Sequence, residues 1–207
     1  GYVQSQSCLH EQTQFEAAFP LFRRDSYYHW LVDQLPTLRG LRKYTEVTCR
    51  EPTVLVEPNP PDWILETLSL LGVTNPVPLN MPVAKTDRLI VSSCRESAPR
   101  NQSVYEPSRE DIDWLNNEMK SRVQSTATEY PDRIYISREN FPDRGRYVSN
   151  RTELKRLLEA FEIEIYAPET LSIAEQIRLF EDTELLVGPH GAGLTNLIFS
   201  NETTVIE

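Results

Sequence analysis

ELLVGPHGAGLTN, residues 184–196, carries the clearest structural pattern in the chain. Its first part, ELLVG, is a nearly continuous apolar run, as in a β-strand that is buried on both faces of a parallel sheet. The glycine-rich part, GPHGAGLTN at 188–196, follows at once and is predicted to lead the chain from that strand into a helix. A strand, a tight turn and a helix in this order indicate a βα unit of an open parallel sheet.

Elsewhere in the chain, β-rich runs alternate with segments of helical spacing. Strands are predicted at 53–57, 88–92, 133–137, 163–166 and 203–206, in addition to 184–188. Because helical segments separate the strands in both halves, we predict an α/β protein with two Rossmann-like parallel-sheet units that face a cleft.

Two of the intervening helices have well-defined apolar faces. The helix after Asn150 is expected to bury four residues: Leu154, Leu157, Leu158 and Phe161. A second helix begins with the capping box formed by Ser172 and Glu175. It is expected to bury Ile173, Ile177 and Phe180.

The Pro, Asp and Tyr residues at 129–132 mark the expected domain boundary. We therefore predict one α/β unit at 1–128 and a second at 129–207. The sequence ends at Glu207, directly after an apparent strand, where a unit of this kind normally continues into a further helix. We expect the second unit to be incomplete at this end.

Composition excludes several classes of partner. The chain has 31 acidic and 21 basic residues and a formal net charge of −10, so nucleic acid and anionic membrane surfaces would repel it. No window approaches about 18 uninterrupted apolar residues, so no membrane-spanning helix is predicted. The three cysteines, Cys8, Cys49 and Cys94, are far apart and odd in number. They indicate neither a disulfide framework nor a zinc site, and a reducing cytoplasm is the simplest setting.

The glycine-rich turn is the strongest candidate site. Gly191 and Gly193 permit a close approach of the backbone and unusual φ values. Free N–H groups at the start of a helix attract phosphate, and His190 can donate a hydrogen bond to a phosphate oxygen or a sugar hydroxyl. A turn that uses glycine only for its geometry is the competing interpretation. The spacing is not G-x-G-x-x-G, so a dinucleotide site is not implied.

A second candidate site lies in YYHWLVDQLP, residues 27–36. At helical spacing His29 and Asp33 lie one turn apart on one face, and leucines occupy the opposite face. A carboxylate beside an imidazole fixes its tautomer and raises its basicity, which suits a general base that deprotonates an acceptor hydroxyl. A surface pair of charged residues with no catalytic role is the alternative.

Arginines form a third signal. Arg138 follows the predicted strand 133–137, and Arg144 and Arg146 lie in the next loop. The guanidinium group binds two phosphate oxygens at once, so these residues are candidate phosphate ligands, against the alternative of solvated loop charge. Asp111 and Asp113 spell D-x-D, but residues two apart in a helix point in different directions and cannot share a cation. We interpret them as acids that stabilise a helix N-terminus.

In this order, the motifs resemble glycosyltransferase family 61 over about residues 19–207. The resemblance rests on FPLFRRDSYYHWLVDQLP (19–36), RIYISREN (133–140), LSIAEQIRLF (171–180), GPHGAGLTNLIF (188–199) and TTVIE (203–207). The sequence is similar to microbial members of the family that take part in capsular polysaccharide biosynthesis.

The resemblance implies a GT-B fold, inversion at the anomeric carbon and a nucleoside-diphosphate sugar donor, expected to be a uridine diphosphate sugar. It implies no essential metal or bound cofactor, a glycan or polysaccharide acceptor, and a place in the cytoplasm at the inner face of the membrane. The C-terminal domain would hold the donor through Arg138, His190, Gly191, Ala192, Gly193, Asn196 and Glu207. His29 and Asp33 would face the donor from the acceptor domain.

Two alternatives stay open from the sequence. The chain can be a non-catalytic, truncated transferase that binds a glycan or a partner enzyme. It can also be a nucleotide-sugar epimerase on the same fold, which would interconvert the donor without an acceptor.

Overall fold

The computed structural model of the chain describes residues 14–22, 26–80, 83–92, 107–124, 128–140 and 148–207. Within these ranges the strands are β1 (Gln14–Leu21), β2 (Thr53–Val56), β3 (Val77–Pro78), β4 (Lys85–Leu89), β5 (Arg133–Ile136), β6 (Glu164–Tyr166), β7 (Leu185–Val187) and β8 (Thr204–Ile206). The α-helices are α1 (Tyr27–His29), α2 (Leu38–Thr48), α3 (Asp62–Leu70), α4 (Arg109–Arg122), α5 (Arg151–Ala160) and α6 (Ile173–Asp182). A π-helical segment (Trp30–Gln34) and a 3-10 turn (Leu35–Thr37) join α1 to α2, and further 3-10 segments lie at Pro168–Thr170 and Ala192–Phe199.

The first sheet has the strand order β3-β2-β1-β4, and all its pairs are parallel. This order matches the first four positions of the Rossmann strand order 3-2-1-4-5-6. β4 pairs with residues 14–18 of β1, whereas β2 pairs with residues 18–21, so Pro20 has a neighbouring strand on one side only. Proline cannot donate to a strand ladder, and this stagger explains how it is accommodated in a central strand.

The second sheet has the order β6-β5-β7-β8 and is also parallel throughout. Counted within this sheet, the order is 2-1-3-4, as in flavodoxin-like folds. Two parallel-sheet regions in an α/β chain confirm the predicted fold class at that level. The predicted division at residues 128 and 129 falls between β4 and β5, where the chain passes from one sheet to the other, and it stays a prediction as a domain boundary.

Several element predictions need correction. β1 and the two-residue β3 were not predicted, although β1 is central to its sheet, and the strand predicted at 88–92 is β4, three residues earlier. The helix predicted after the glycine-rich turn is a 3-10 helix, Ala192–Phe199, rather than an α-helix. The chain there is held by shorter-range backbone hydrogen bonds, such as Leu194 N–H to Gly191 O at 3.0 Å.

The apolar face of α5 is only partly buried. Leu158 is buried, but Leu157 and Phe161 are 55% and 58% exposed, so the expectation that all four apolar residues are covered was wrong. α5 connects β5 to β6, which is the edge strand of the sheet. Because the sheet ends at β6, it cannot cover the whole apolar face of this helix.

α6 confirms the capping box and the apolar face predicted for it. Ile173, Ile177 and Phe180 are all buried. The Ser172 side chain accepts a hydrogen bond from Glu175 N–H at 3.3 Å, and the Glu175 carboxylate accepts one from Ser172 N–H at 2.8 Å. The Ser172 hydroxyl also donates to the Glu175 carboxylate at 2.7 Å, and this bond, followed by the one from Ser172 N–H, lowers the pKa of the Glu175 carboxyl because both favour its charged form.

One apolar cluster runs through both sheet regions. Trp30, beside β1, and Leu115 on α4 belong to the same cluster as Phe180 and Phe199 of the second region. Each of these four side chains is fully buried, and burial of a side chain of this size stabilises the fold by about 2–3 kcal/mol. The two regions are therefore packed against each other through a continuous core.

Candidate functional site

A pocket of about 360 Å³ lies between the two sheet regions. Its lining residues follow the carboxyl ends of strands from both sheets: Ser26, Tyr27, Pro61 and Trp63 from the first, and Ser137, Arg138, Pro168, Glu169, Pro189, Gly191, Ala192 and Gly193 from the second. Ligands of open parallel sheets bind at this end of the strands. The position of the pocket therefore makes it the best candidate for a ligand site among the described residues.

The wall contributed by the first region is aromatic. The rings of Tyr27 and Trp63 meet edge to face, with their centroids 5.4 Å apart, and Trp63 packs in the same way against the buried Trp30 at 6.1 Å. Trp30 is fixed in turn by a hydrogen bond from its Nε1 to Thr67 Oγ1 at 2.8 Å. Such packing gives a rigid apolar surface that suits the flat face of a sugar or a base.

The wall contributed by the second region is polar and is built around Arg138. Its Nη1 donates a hydrogen bond to the carbonyl oxygen of His190 at 2.9 Å, and its guanidinium group lies directly against Gly191. A Cβ atom at position 191 would lie 1.5 Å from Arg138 Nη1, so no other residue fits there without moving the arginine. Gly191 has an extended backbone, with φ of 172°, so glycine is required for close approach and not for an unusual φ.

His29 and Asp33 form the pair that the sequence predicts. His29 Nδ1 lies 2.7 Å from Asp33 Oδ2, and the side chains are 44% and 14% exposed. The helix that carries them is irregular because Pro36 has no N–H to donate to the carbonyl of Val32. The chain forms the π segment instead, with Leu35 N–H bonded to Trp30 O. Single π turns of this kind are frequent at functional sites.

His190 and Glu207 form a second histidine–carboxylate pair. His190 Nδ1 is hydrogen-bonded to Glu207 Oε1 across the carboxyl ends of the neighbouring strands β7 and β8. Both side chains are exposed, at 73% and 48%. With Nδ1 engaged by the carboxylate, the Nε2 atom of His190 is the one left to meet a ligand.

Asn196 is placed differently from the neighbouring glycines of the turn. Its side chain is completely buried, and its amide is engaged with Tyr27 and Gln176, so it does not line the pocket as a donor ligand would. Burial raises the pKa of the Tyr27 phenol, which keeps its proton and donates to Asn196 Oδ1 at 2.7 Å. Asn196 therefore holds two lining residues, Tyr27 and Gln176, in place through hydrogen bonds.

The other sequence-derived candidates divide clearly. Arg138, Gly191, Ala192 and Gly193 line the pocket, whereas His29, Asp33, His190 and Glu207 are not among its lining residues. His190 lies between Pro189 and Gly191, His29 lies two residues after Tyr27, and Asp33 and Glu207 are the partners of these two histidines. Arg144 and Arg146 lie outside the described residues. Asp111 is buried and paired with Arg39, and Asp113 faces Arg109, so the two acids point to different partners as expected. In the described part of the chain, no three His, Cys, Asp or Glu side chains converge on a common point.

Sequence reasoning missed Trp63 and Gln176 as site residues and did not assign a role to Tyr27. Trp63 lies just after the short proline-rich loop that follows β2. Because ligands bind at the carboxyl ends of parallel strands, this loop could have been predicted to lie at the site. No local pattern marks Gln176, which reaches the site from the middle of α6.

The Glycosyltransferase 61 family model matches residues 27–206, which include the whole second sheet, strands β2, β3 and β4 of the first sheet, and all the described pocket residues except Ser26. The chain belongs to glycosyltransferase family 61. This confirms the resemblance to the family, and the match covers the blocks at 133–140, 171–180 and 188–199 together with residues 27–36 of the first block. No curated protein matches the chain. The described helices of this family 61 protein include none with the length and apolar character needed to cross a membrane.

Proposed function

We propose that the chain is an inverting glycosyltransferase of GT-B architecture that transfers a sugar from a nucleoside-diphosphate sugar to a glycan hydroxyl. Family membership supports sugar transfer in general. The observation that carries the finer proposal is the pocket between the two sheets, with Arg138 and the Gly191–Gly193 backbone on one side and the helix of His29 on the other.

In the proposed reaction the acceptor oxygen attacks the anomeric carbon of the donor sugar. The bond from that carbon to the phosphate oxygen breaks, and the leaving diphosphate takes the electron pair. The acceptor proton goes to the His29–Asp33 pair. A single displacement of this kind inverts the anomeric configuration.

Arg138 and the glycine turn would stabilise the leaving diphosphate. The guanidinium group supplies positive charge, and the absence of a side chain at Gly191 lets it lie directly against the turn, whose peptide N–H groups would also bind the phosphate oxygens. This arrangement supplies counter-charge without a metal ion, and we propose a uridine diphosphate sugar as the donor. Tyr27 and Trp63 would hold an apolar face of the substrate against the opposite wall.

We further propose a polysaccharide, such as a capsular one, as the acceptor. The three scattered cysteines support a cytoplasmic site of action, at the inner face of the membrane, although the negative net charge argues against direct attraction to anionic lipids.

A donor screen followed by a transfer assay tests this function. A nucleoside-diphosphate sugar that binds the folded state raises the melting temperature by mass action, and we expect one uridine diphosphate sugar to do so selectively. With that donor and an acceptor glycan, NMR of the product is expected to show the inverted anomeric configuration. Retention would contradict the single displacement, and conversion of the donor without acceptor would favour the epimerase. Glycan binding with no transfer from any donor would favour the non-catalytic module.

A further inference from the structure

Three side chains that are far apart in the sequence meet at the wall of the pocket: Tyr27 and Gln176 are lining residues, and Asn196 is completely buried. Tyr27 Oη donates a hydrogen bond to Asn196 Oδ1 at 2.7 Å, and Asn196 Nδ2 donates to Gln176 Oε1, also at 2.7 Å. Gln176 Nε2 completes the chain by donating to the carbonyl of Leu171 at 3.1 Å. We refer to Tyr27, Gln176 and Asn196 as the Tyr–Gln–Asn network.

The members of this network belong to the segments that carry the site. Tyr27 lies two residues before His29 in the same helix, and Asn196 lies three residues after Gly193 in the 3-10 helix that begins at the glycine turn. The network thus links the helix of the histidine–aspartate pair to the turn that faces the leaving group in the proposed function.

Burial makes the geometry of this network specific. Asn196 is completely buried and Gln176 is 5% exposed. A buried amide that loses its partner also loses the compensation for its desolvation, so the arrangement with all these hydrogen bonds is strongly preferred. The network therefore restricts how Tyr27, and with it His29, can move relative to the glycine turn.

Other polar contacts join the two sheet regions without involving the residues next to His29. Asn116 Nδ2 on α4 donates to Ile198 O at 2.7 Å, and the Glu66 carboxylate on α3 accepts a hydrogen bond from Ile173 N–H at 2.7 Å. These contacts hold the regions together in general. Variants that remove one of these contacts are therefore matched controls for variants of the Tyr–Gln–Asn network.

We propose that the Tyr–Gln–Asn network positions the His29–Asp33 pair against the glycine turn, and so sets the rate of sugar transfer but not the affinity for the donor. The proposal rests on the proposed function. Tyr27 is a positioning residue in this scheme, because its hydroxyl acts through His29 and Asp33. Its aromatic ring lines the pocket separately, beside Trp63.

Tyr27→Phe tests this proposal, because it removes the hydroxyl and keeps the ring against Trp63. We expect kcat to fall about 10- to 100-fold, as a small misplacement of a catalytic group does, and the KM for the donor to change less than about twofold. Calorimetry with uridine diphosphate gives the concentration of donor-binding sites, and kcat is calculated per site. A loss of folded protein is then not mistaken for a loss of turnover. Asn116→Ala is the control: it removes a tie of the same length between the same regions, and its kcat per site should equal that of the unmodified chain.

A double-mutant cycle separates positioning from general damage. In the His29→Ala background, Tyr27→Phe should change kcat by less than about twofold, because the pair on which the network acts has already been removed. If Tyr27→Phe acted through general structural damage, it would lower kcat by the same factor in the His29→Ala background as in the unmodified chain.

The possible outcomes separate this inference from the function on which it rests. No transfer by the unmodified chain from any donor would overturn the proposed function and the positioning role with it. Two results would overturn the positioning role alone, provided that the unmodified chain transfers sugar. One is an unchanged kcat in Tyr27→Phe, and the other is an equal loss of kcat from Tyr27→Phe with and without His29.

Discussion

The two histidine–carboxylate pairs of this protein have the same chemistry and very different surroundings. His29 and Asp33 are one helical turn apart, and the carboxylate is 14% exposed. His190 and Glu207 are 17 residues apart in the sequence, and the carboxylate is 48% exposed. The difference lies in what holds each pair in place.

The first pair is held by a buried segment. Trp30, Leu31 and Val32, which lie between His29 and Asp33, are all buried, so the backbone that carries the pair cannot shift without disturbing the core. The second pair connects the ends of two adjacent strands on the surface. An exposed pair of this kind contributes little to stability, because solvent screens the attraction and fixing two side chains costs entropy.

This comparison indicates that burial, and not the identity of the residues, separates the two roles. A pair fixed by the core suits proton transfer, which requires a constant position. An exposed pair can rearrange around a bound ligand and is expected to adjust donor binding only slightly. Three substitutions test this difference.

The largest effect is expected for Asp33→Ala. Without the carboxylate, His29 loses the partner that orients its ring, and kcat should fall on the order of 10²–10⁴-fold with little change in donor affinity. Transfer kinetics and calorimetry with uridine diphosphate measure the two quantities. Asp113→Ala removes an exposed aspartate from α4 and serves as the control. Full turnover in Asp33→Ala would remove the pair from the mechanism.

An intermediate effect is expected for Arg138→Ala, which removes the cation that contacts the backbone of His190. Charged hydrogen bonds to phosphate should be lost, and the affinity for uridine diphosphate should fall about 10- to 100-fold in calorimetry. Arg133→Ala is a matched control, because Arg133 begins the same strand at its opposite end. Equal donor affinity in Arg138→Ala would show that this arginine does not bind the diphosphate.

The smallest effect is expected for Glu207→Gln. The substitution removes the charge opposite His190 but keeps a hydrogen-bonding group of similar shape. Because the pair is exposed, donor affinity should change by at most about fivefold, with kcat nearly unchanged. A loss of turnover as large as that of Asp33→Ala would break the distinction between the two pairs.

Prediction from the sequence was most successful where local pattern and burial coincide. The strands β5 and β7 are short apolar runs, and their ends lie within one residue of the predicted ones. The helix α6 has a complete apolar face and begins directly after Ser172, as its capping box predicts. β1 escaped prediction because QFEAAFPL combines polar residues with a proline. Its strand character depends on neighbours that pair with only part of its length.

The site was predictable in the same uneven way. The helical spacing of His29 and Asp33 is a local property, and so is the glycine turn with the arginine that follows β5. Asn196 was assigned to the donor site through the resemblance to the family. Its actual partners, Tyr27 and Gln176, lie 169 and 20 residues away in the sequence.

The sequence by itself determined the α/β class, the family, the His29–Asp33 spacing and the glycine positions, because each depends on residues that are close together along the chain. Only the tertiary structure decided the strand order, the aromatic wall of Trp63, the burial of Asn196 and the exposure of His190 and Glu207. These features depend on which surfaces come to exclude water when distant segments pack, and no pattern within a single segment contains that information.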